Sequence, residues 1–343
     1  MSRAVEWYRS DRTRVPRDLV QPSTSRVVRN WLRAWLPEAE VGGKTIVLYS
    51  RQGFRKLSSW AGMFSEFHSV LGALKYGETR HAAGVRVDFR SPLYLDPERG
   101  SNWWTYFFRR SVMNIESGAG GAAEVHLNRP VAKYGRHGGF CDLVNGTTPY
   151  LYPMTYGVSR SELHRLLAEH IEVQPDIQTE VQRLVATSFE PGAYVVGVHY
   201  RGTDATRRFA GALTDYRTYR IPYRAYADEV RLALEATAPR AYQVLVATDE
   251  IECLEFMRRE FGDRVLYLED APRVHAGDLA IHFDGLAIHF DPNLPMSNYQ
   301  KGKSGLVDCL LLAATNYLVK GRSNVSDASL AFNPRLPYSF CVR

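Results

Sequence analysis

The residues with the plainest chemical potential are His199, Arg201 and Asp204, which close the run Tyr194-Val-Val-Gly-Val-His-Tyr-Arg-Gly-Thr-Asp204. A guanidinium offers a planar fork of donors for phosphate oxygens, and an imidazole and a carboxylate beside it can hold or move a proton. Two other places have related chemistry. Ala247-Thr-Asp249-Glu250 puts two carboxylates after an apolar run, and Gly321-Arg-Ser323-Asn324 leads into a helix, where loop N–H groups and the helix dipole favour an anion. Asp308 lies among Leu306, Val307, Leu310 and Leu311, and a carboxylate is costly to bury unless it accepts hydrogen bonds, as from a base or a ribose. Plainer readings stand beside these: Asp249-Glu250 can cap the next helix, and Ser323 can be an N-cap and no more. Together the four places outline a pocket for a nucleoside diphosphate.

Such residues need elements that bring them to one edge. Val195, Val196 and Val198 are β-branched and nearly continuous, as in a parallel strand covered on both faces, whose carboxyl end is the usual ligand side of an open sheet. The pattern then predicts a helix from Pro222 to about Ala236, a strand Tyr242–Ala247, a helix from Glu250 to Phe261 and a strand Arg264–Leu268. After a long loop it predicts a helix through Val307–Ala313, a strand Tyr317–Val319 and a last helix after Ser323. This alternation predicts a doubly wound parallel sheet.

The first half opens on a basic arm and then a strand, Lys44–Tyr49, followed by the Gly53 loop. Trp60, Met63, Phe64, Phe67, Val70, Leu71 and Leu74 recur at helical spacing before the alternating strand Val85–Phe89. This βαβ start places Gly53 at a carboxyl edge, as a candidate to face a ligand. Ser159 with Glu162 reads as a capping box, and Pro175 opens a second helix to about Ser188, as connectors between domains. The expected architecture is α/β with two Rossmann-like domains, 1–190 and 191–343, facing a central cleft.

The chain has 343 residues, 45% hydrophobic and 23% charged, within the range of folded soluble proteins. A formal charge of +6 suits an anionic partner, but the basic residues are scattered and no nucleic-acid-binding signature is present. Cys141, Cys253, Cys309 and Cys341 form no C-x-x-C pair, which disfavours zinc and a disulfide framework. The polar N-terminus is unlike a signal peptide and no apolar run is long enough to span a bilayer, so the expected location is cytoplasmic.

The chain resembles the GDP-fucose-dependent fucosyltransferases of GT-B architecture, which include α1,6, nodulation and protein O-fucosyltransferases. Their His-x-Arg-Arg-x-Asp motif is similar to His199-Tyr-Arg201-Gly-Thr-Asp204, and their Ala-Thr-Asp-Asp strand end to Ala247-Thr-Asp249-Glu250. Their Asp-bearing helix and following Ser-rich loop are similar to Asp308 and Ser323-Asn324. The resemblance implies Arg201 on the donor β-phosphate, His199 and Asp308 near the guanosine, and Ser323 with Asn324 on the phosphates. It also implies an inverting displacement without a metal, from GDP-fucose to a glycan or glycosylated acceptor. Gly202 stands where the motif has its second Arg, and Ala205 and Phe209 stand where the α1,6 enzymes have Lys and Glu. The acceptor base is therefore open: Asp204 is the first candidate, Asp215 a second, and Glu66 a third if its helix faces the cleft. A different nucleotide sugar, or a binding protein without catalysis, is the alternative.

Other signals have plainer explanations. Lys301-Gly-Lys-Ser304 resembles a P-loop ending but lacks the first glycine and a preceding strand, so it reads as a basic loop opening the Asp308 helix. Leu279–Gly285 is repeated as Leu286–Pro292, and a short duplication explains His282, Asp284, His289 and Asp291 better than a metal cluster. Trp103, Trp104 and Tyr106 could stack on a sugar, but aromatics near a βαβ edge are more often core.

Overall fold

The computed structural model describes residues 42–49, 62–109, 123–127, 159–202, 221–275, 294–321 and 323–341. The chain divides into two compact units, Met1–Gln174 and Pro175–Arg343. Among the described residues no helix is long and apolar enough to cross a membrane.

In the first unit, β1 (Thr45–Tyr49) lies between β2 (Gly84–Asp88) and β4 (Glu124–Leu127), all parallel. Helix α1 (Met63–Thr79) links β1 to β2 and buries Met63, Phe64, Phe67, Val70, Leu71 and Leu74, the residues whose spacing predicts it. Its first turn has no side-chain cap at Gly62, and the Tyr94 hydroxyl takes the Met63 N–H at 3.0 Å instead. The short helix α2 (Trp104–Phe107) runs into β3 (Phe108–Arg109), which pairs antiparallel with β5 (Glu172–Val173). Trp103 and Trp104 are wholly buried, with Phe89 at 5.0 Å from Trp103 and Phe108 at 4.3 Å from Trp104 between ring centres. They are core, and sugar stacking does not apply to them.

Helix α3 (Arg160–His170) starts as expected, with Ser159 Oγ accepting the Glu162 N–H at 3.2 Å. Glu162 does not complete a capping box. Its carboxylate is held by Lys75 of α1 at 2.6 Å and by Arg165, which keep it ionised down to about pH 2. Arg165 also reaches Glu78 at 2.6 Å and Glu169 at 2.5 Å, so the Glu78, Glu169 and His170 group, spaced closely enough for a cation, is already part of an ion-pair lattice.

In the second unit, helix α4 (Pro175–Ser188) precedes β6 (Tyr194–Tyr200), α5 (Tyr223–Thr237), β7 (Tyr242–Thr248), α6 (Ile251–Phe261) and β8 (Val265–Leu266). Then come α7 (Asn298–Ala313), β9 (Tyr317–Lys320), α8 (Asn324–Phe332) and β10 (Tyr338–Phe340). The sheet is fully parallel in the order β10-β9-β6-β7-β8. Val196, Val198, Val244, Val246 and Val319 form its buried centre, which explains the nearly continuous β-branched run of β6. Helix α7 begins earlier than expected because Ser297 and Gln300 make a reciprocal capping box, at 3.2 and 2.8 Å. Lys301–Ser304 therefore lie inside a helix and form neither a P-loop nor a basic loop.

Candidate functional site

From β6 the chain runs outward to β7 and β8 on one side, then returns to place β9 and β10 on the other. Direction reverses between β6 and β9, and in an open parallel sheet ligands bind outside the carboxyl ends of strands at such a reversal. At this point the fold gathers His199, Arg201, Ser323 and Asn324, which the sequence places 120 residues or so apart.

His199 is the penultimate residue of β6, in register with Ala247 of β7 and Lys320 of β9. It is 7% exposed, and its Nδ1 is buried with no hydrogen-bond partner. Burial first, then the charges of Lys320 and Arg201, push its pKa down to about 3, so the ring is neutral across the physiological range. Arg201 and Gly202 follow directly, Arg201 partly exposed and Gly202 buried.

At the next strand end, Asp249 Oδ1 accepts the Gly202 N–H at 3.0 Å. The Asp249 side chain thus ties the β6 exit to the β7 exit. Glu250 is 1% exposed, and the Tyr223 hydroxyl donates to its Oε2 at 2.6 Å. It is the N-cap residue of α6 by position, but its side chain caps nothing.

On the other side, Lys320 ends β9 completely buried and pairs with Asp327 in the first turns of α8. The Phe340 ring of β10 lies 5.4 Å from the ammonium. Gly321 follows, where an added Cβ would run into the Tyr226 hydroxyl. Ser323 is indeed the N-cap, its Oγ accepting the Val325 N–H at 3.2 Å. Capping and anion binding are compatible here, because one hydroxyl satisfies one of several free N–H groups at the helix start. Asn324, the first residue of α8, is partly buried.

Asp308 lies well inside α7, partly buried, and burial raises its carboxyl to about 7 while the Arg273 guanidinium pulls it back. Arg273, in the loop after β8, donates to the carbonyls of Leu268 at 2.8 Å and Ala271 at 3.2 Å and sits 5.2 Å from the Tyr267 ring centre. Glu66 is buried on α1 of the first unit, at 1% exposure. Gly53, Asp204, Asp215 and the 279–292 duplication lie outside the described residues.

The chain is similar to solved fucosyltransferases. Among them are NodZ from Bradyrhizobium, at 16% identity over 88% of this chain and 96% of that one, with a TM-score of 0.47. A variant of Arabidopsis thaliana FUT1 in complex with GDP is 13% identical over 99% of this chain and 78% of that one, with a TM-score of 0.47. POFUT1 in complex with GDP-fucose is 10% identical over 90% of this chain and all 100% of that one, with a TM-score of 0.41. No family model and no curated protein sequence matches the chain.

Sequence reasoning missed Lys320, Asp327, Tyr223 and Arg273, and read Glu250 as one of two strand-end carboxylates of the pocket or, more plainly, as a cap of the next helix. One signal was available: a lysine ending the apolar run Tyr317-Leu-Val-Lys320 needs a buried counter-charge, and Asp327 is the nearest acid that follows.

Proposed function

We propose that the chain is an inverting, metal-independent glycosyltransferase of GT-B type that moves fucose from GDP-fucose to a glycan or glycosylated acceptor. The observation that carries this reading is the position of Arg201 at the exit of β6, beside the N-terminus of α8 at the exit of β9. A guanidinium and a helix N-terminus flanking one crevice suit a diphosphate, and the same pair stabilises the charge that develops on a departing GDP. The sugar assignment rests on the motif resemblance of His199–Asp204, Ala247–Glu250 and Asp308–Asn324.

In this reading Arg201 holds the β-phosphate, with Ser323 and Asn324 on the phosphates from the opposite side. Neutral His199 uses its buried ring nitrogen toward the nucleoside, and Asp308 accepts from the base. Asp249 supports the floor of the site through Gly202. The acceptor hydroxyl attacks the anomeric carbon from the face opposite GDP, the C–O bond to the diphosphate breaks, and the hydroxyl proton passes to a carboxylate, with Asp204 the first candidate. In this reading the first domain, 1–190 and including Gly53, supplies the acceptor side, the second, 191–343, supplies the donor side, and the protein is cytoplasmic. The reading includes no nucleic-acid partner and no membrane span.

The test is thermal-shift screening with GDP, UDP and ADP, followed by GDP-fucose with an acceptor panel in the presence of EDTA. Stabilisation by GDP alone among the three, and EDTA-resistant transfer, is the expected result; no response to GDP defeats the donor assignment. Gly202, Ala205 and Phe209, which depart from the motif, favour one second reading, a nucleotide-binding protein without catalysis. GDP binding with no turnover on any acceptor or on water would select it.

A further inference from the structure

Gly202 is surrounded in a way that its backbone conformation does not require. It has no positive φ, so any residue could adopt its conformation, yet a Cβ there would collide with the Glu250 carboxylate. The space that a side chain at 202 would occupy is filled by Glu250. One hydrogen bond restrains this carboxylate itself, and others restrain the backbone that carries it. Tyr223 donates to the carboxylate at 2.6 Å, the Glu250 N–H donates to Thr248 Oγ1 at 3.2 Å, and Val274 bridges to the same stretch through Val274 N–H to Asp249 O and Ile251 N–H to Val274 O, both 3.1 Å. The Tyr223 ring is itself wedged between Tyr200 at 5.0 Å and Phe256 at 5.8 Å. Residue 202 is thus held by Asp249 on its N–H, and Glu250 fills the place that a Cβ would take.

We propose that Glu250 is a positioning residue for Arg201, a wedge that replaces a side chain at position 202 and fixes the peptide from which the guanidinium projects. The proposal rests on the reading of Arg201 as a diphosphate ligand, and Glu250 acts through Gly202 rather than on the donor. Misplacing a positioned group by about 1 Å can cost about 100-fold, so removing the wedge should register in nucleotide affinity.

The test uses the full chain, GDP titrated by calorimetry and urea unfolding, on wild type, E250A, E250Q, G202A and G202A/E250A. E250A and G202A should each weaken GDP by about tenfold or more, and E250Q, which keeps the shape and can still accept from Tyr223, should restore affinity to within about threefold. Because both changes disrupt one contact, the double variant should bind no worse than G202A. Unfolding supplies a readout without ligand: G202A should be destabilised, and adding E250A should relieve part of that loss by making room. Losses in GDP affinity that multiply, E250A binding like wild type, or G202A unfolding like wild type would each overturn the proposal. Should G202A not fold, folding of G202A/E250A supports the wedge and failure of both overturns it. Wild type that ignores GDP overturns the donor reading instead, and the wedge is then decided by the unfolding cycle alone.

Discussion

The Lys320 ammonium and the Asp327 carboxylate are paired where neither side chain reaches solvent, seven residues apart across the turn that joins β9 to α8. The pair links the end of β9 to the first turns of α8. Asp327 keeps one oxygen buried without a hydrogen-bond partner, so the pair is not fully satisfied by the protein. Breaking one half leaves an uncompensated buried charge. K320M or D327N should each cost about 3–5 kcal/mol in urea unfolding, and K320M/D327L should cost less than the sum of the single changes. Additive losses would mean the two groups are not coupled.

Arg201 is expected to act as a fork rather than as a charge. R201A should lower kcat/KM for GDP-fucose by the equivalent of about 3 kcal/mol or more, and R201K should recover little of it. Full recovery by lysine would show that a point charge suffices.

If Asp308 accepts from the base as proposed, its carboxyl, raised to about 7 by burial, should give GDP affinity a pH dependence of defined sign. Only the ionised carboxylate accepts from N–H groups of a base at both oxygens, so GDP affinity should rise as pH increases through about 7. D308N should flatten the profile. R273A removes the charge that now draws this pKa down, so it should move the midpoint to higher pH. A profile unchanged in D308N would assign the titration to another group.

His199 makes a separate contribution to stability against pH. Its folded pKa is about 3, below the unfolded value of about 6.5, so below pH 6.5 the unfolded chain takes up a proton that the native state refuses. Stability should therefore be unaffected by this group above pH 6.5 and should fall as pH drops from there toward 3. H199N should remove that component, measured as the difference between the two pH–stability curves. Parallel curves for the two proteins would sink the assignment.

The strands of the second unit were legible because burial on both faces writes itself into sequence as a run such as Val195, Val196 and Val198. Ser323 was legible as a cap, since a hydroxyl before an apolar helix is a local signal. Strand β10 was not, because Tyr338–Phe340 is three residues long and owes its structure to pairing with β9. The partner of Glu250 was not legible for a related reason. The local position of Glu250 suggests a cap, but its carboxylate is taken by Tyr223, 27 residues earlier in sequence, and no local pattern encodes that contact. Lys320 was passed over because lysine is ordinarily a surface residue, and only the fold shows that strand β9 ends inside the protein. Asp204 and Gly53 stay as expectations from the motif and the βαβ start.

Tyr223 and Tyr226 leave the first turn of α5 in two directions, one to the Glu250 carboxylate and the other against Gly321, with the Tyr200 ring between them at 5.0 and 5.1 Å. The chain at the exits of β7 and β9 is therefore gauged against a single helical turn, and the two segments cannot be exchanged one at a time. A chimaera that imports a new β9–α8 loop with any side chain at 321 would also have to import a smaller residue at 226. That would disturb the aromatic stack on Tyr200 and, through Tyr223, the opposite loop. Changes at these strand ends would thus have to come as coordinated sets spanning α5 and three strand ends, whereas Asp308 and Arg273 lie outside this interlocked group.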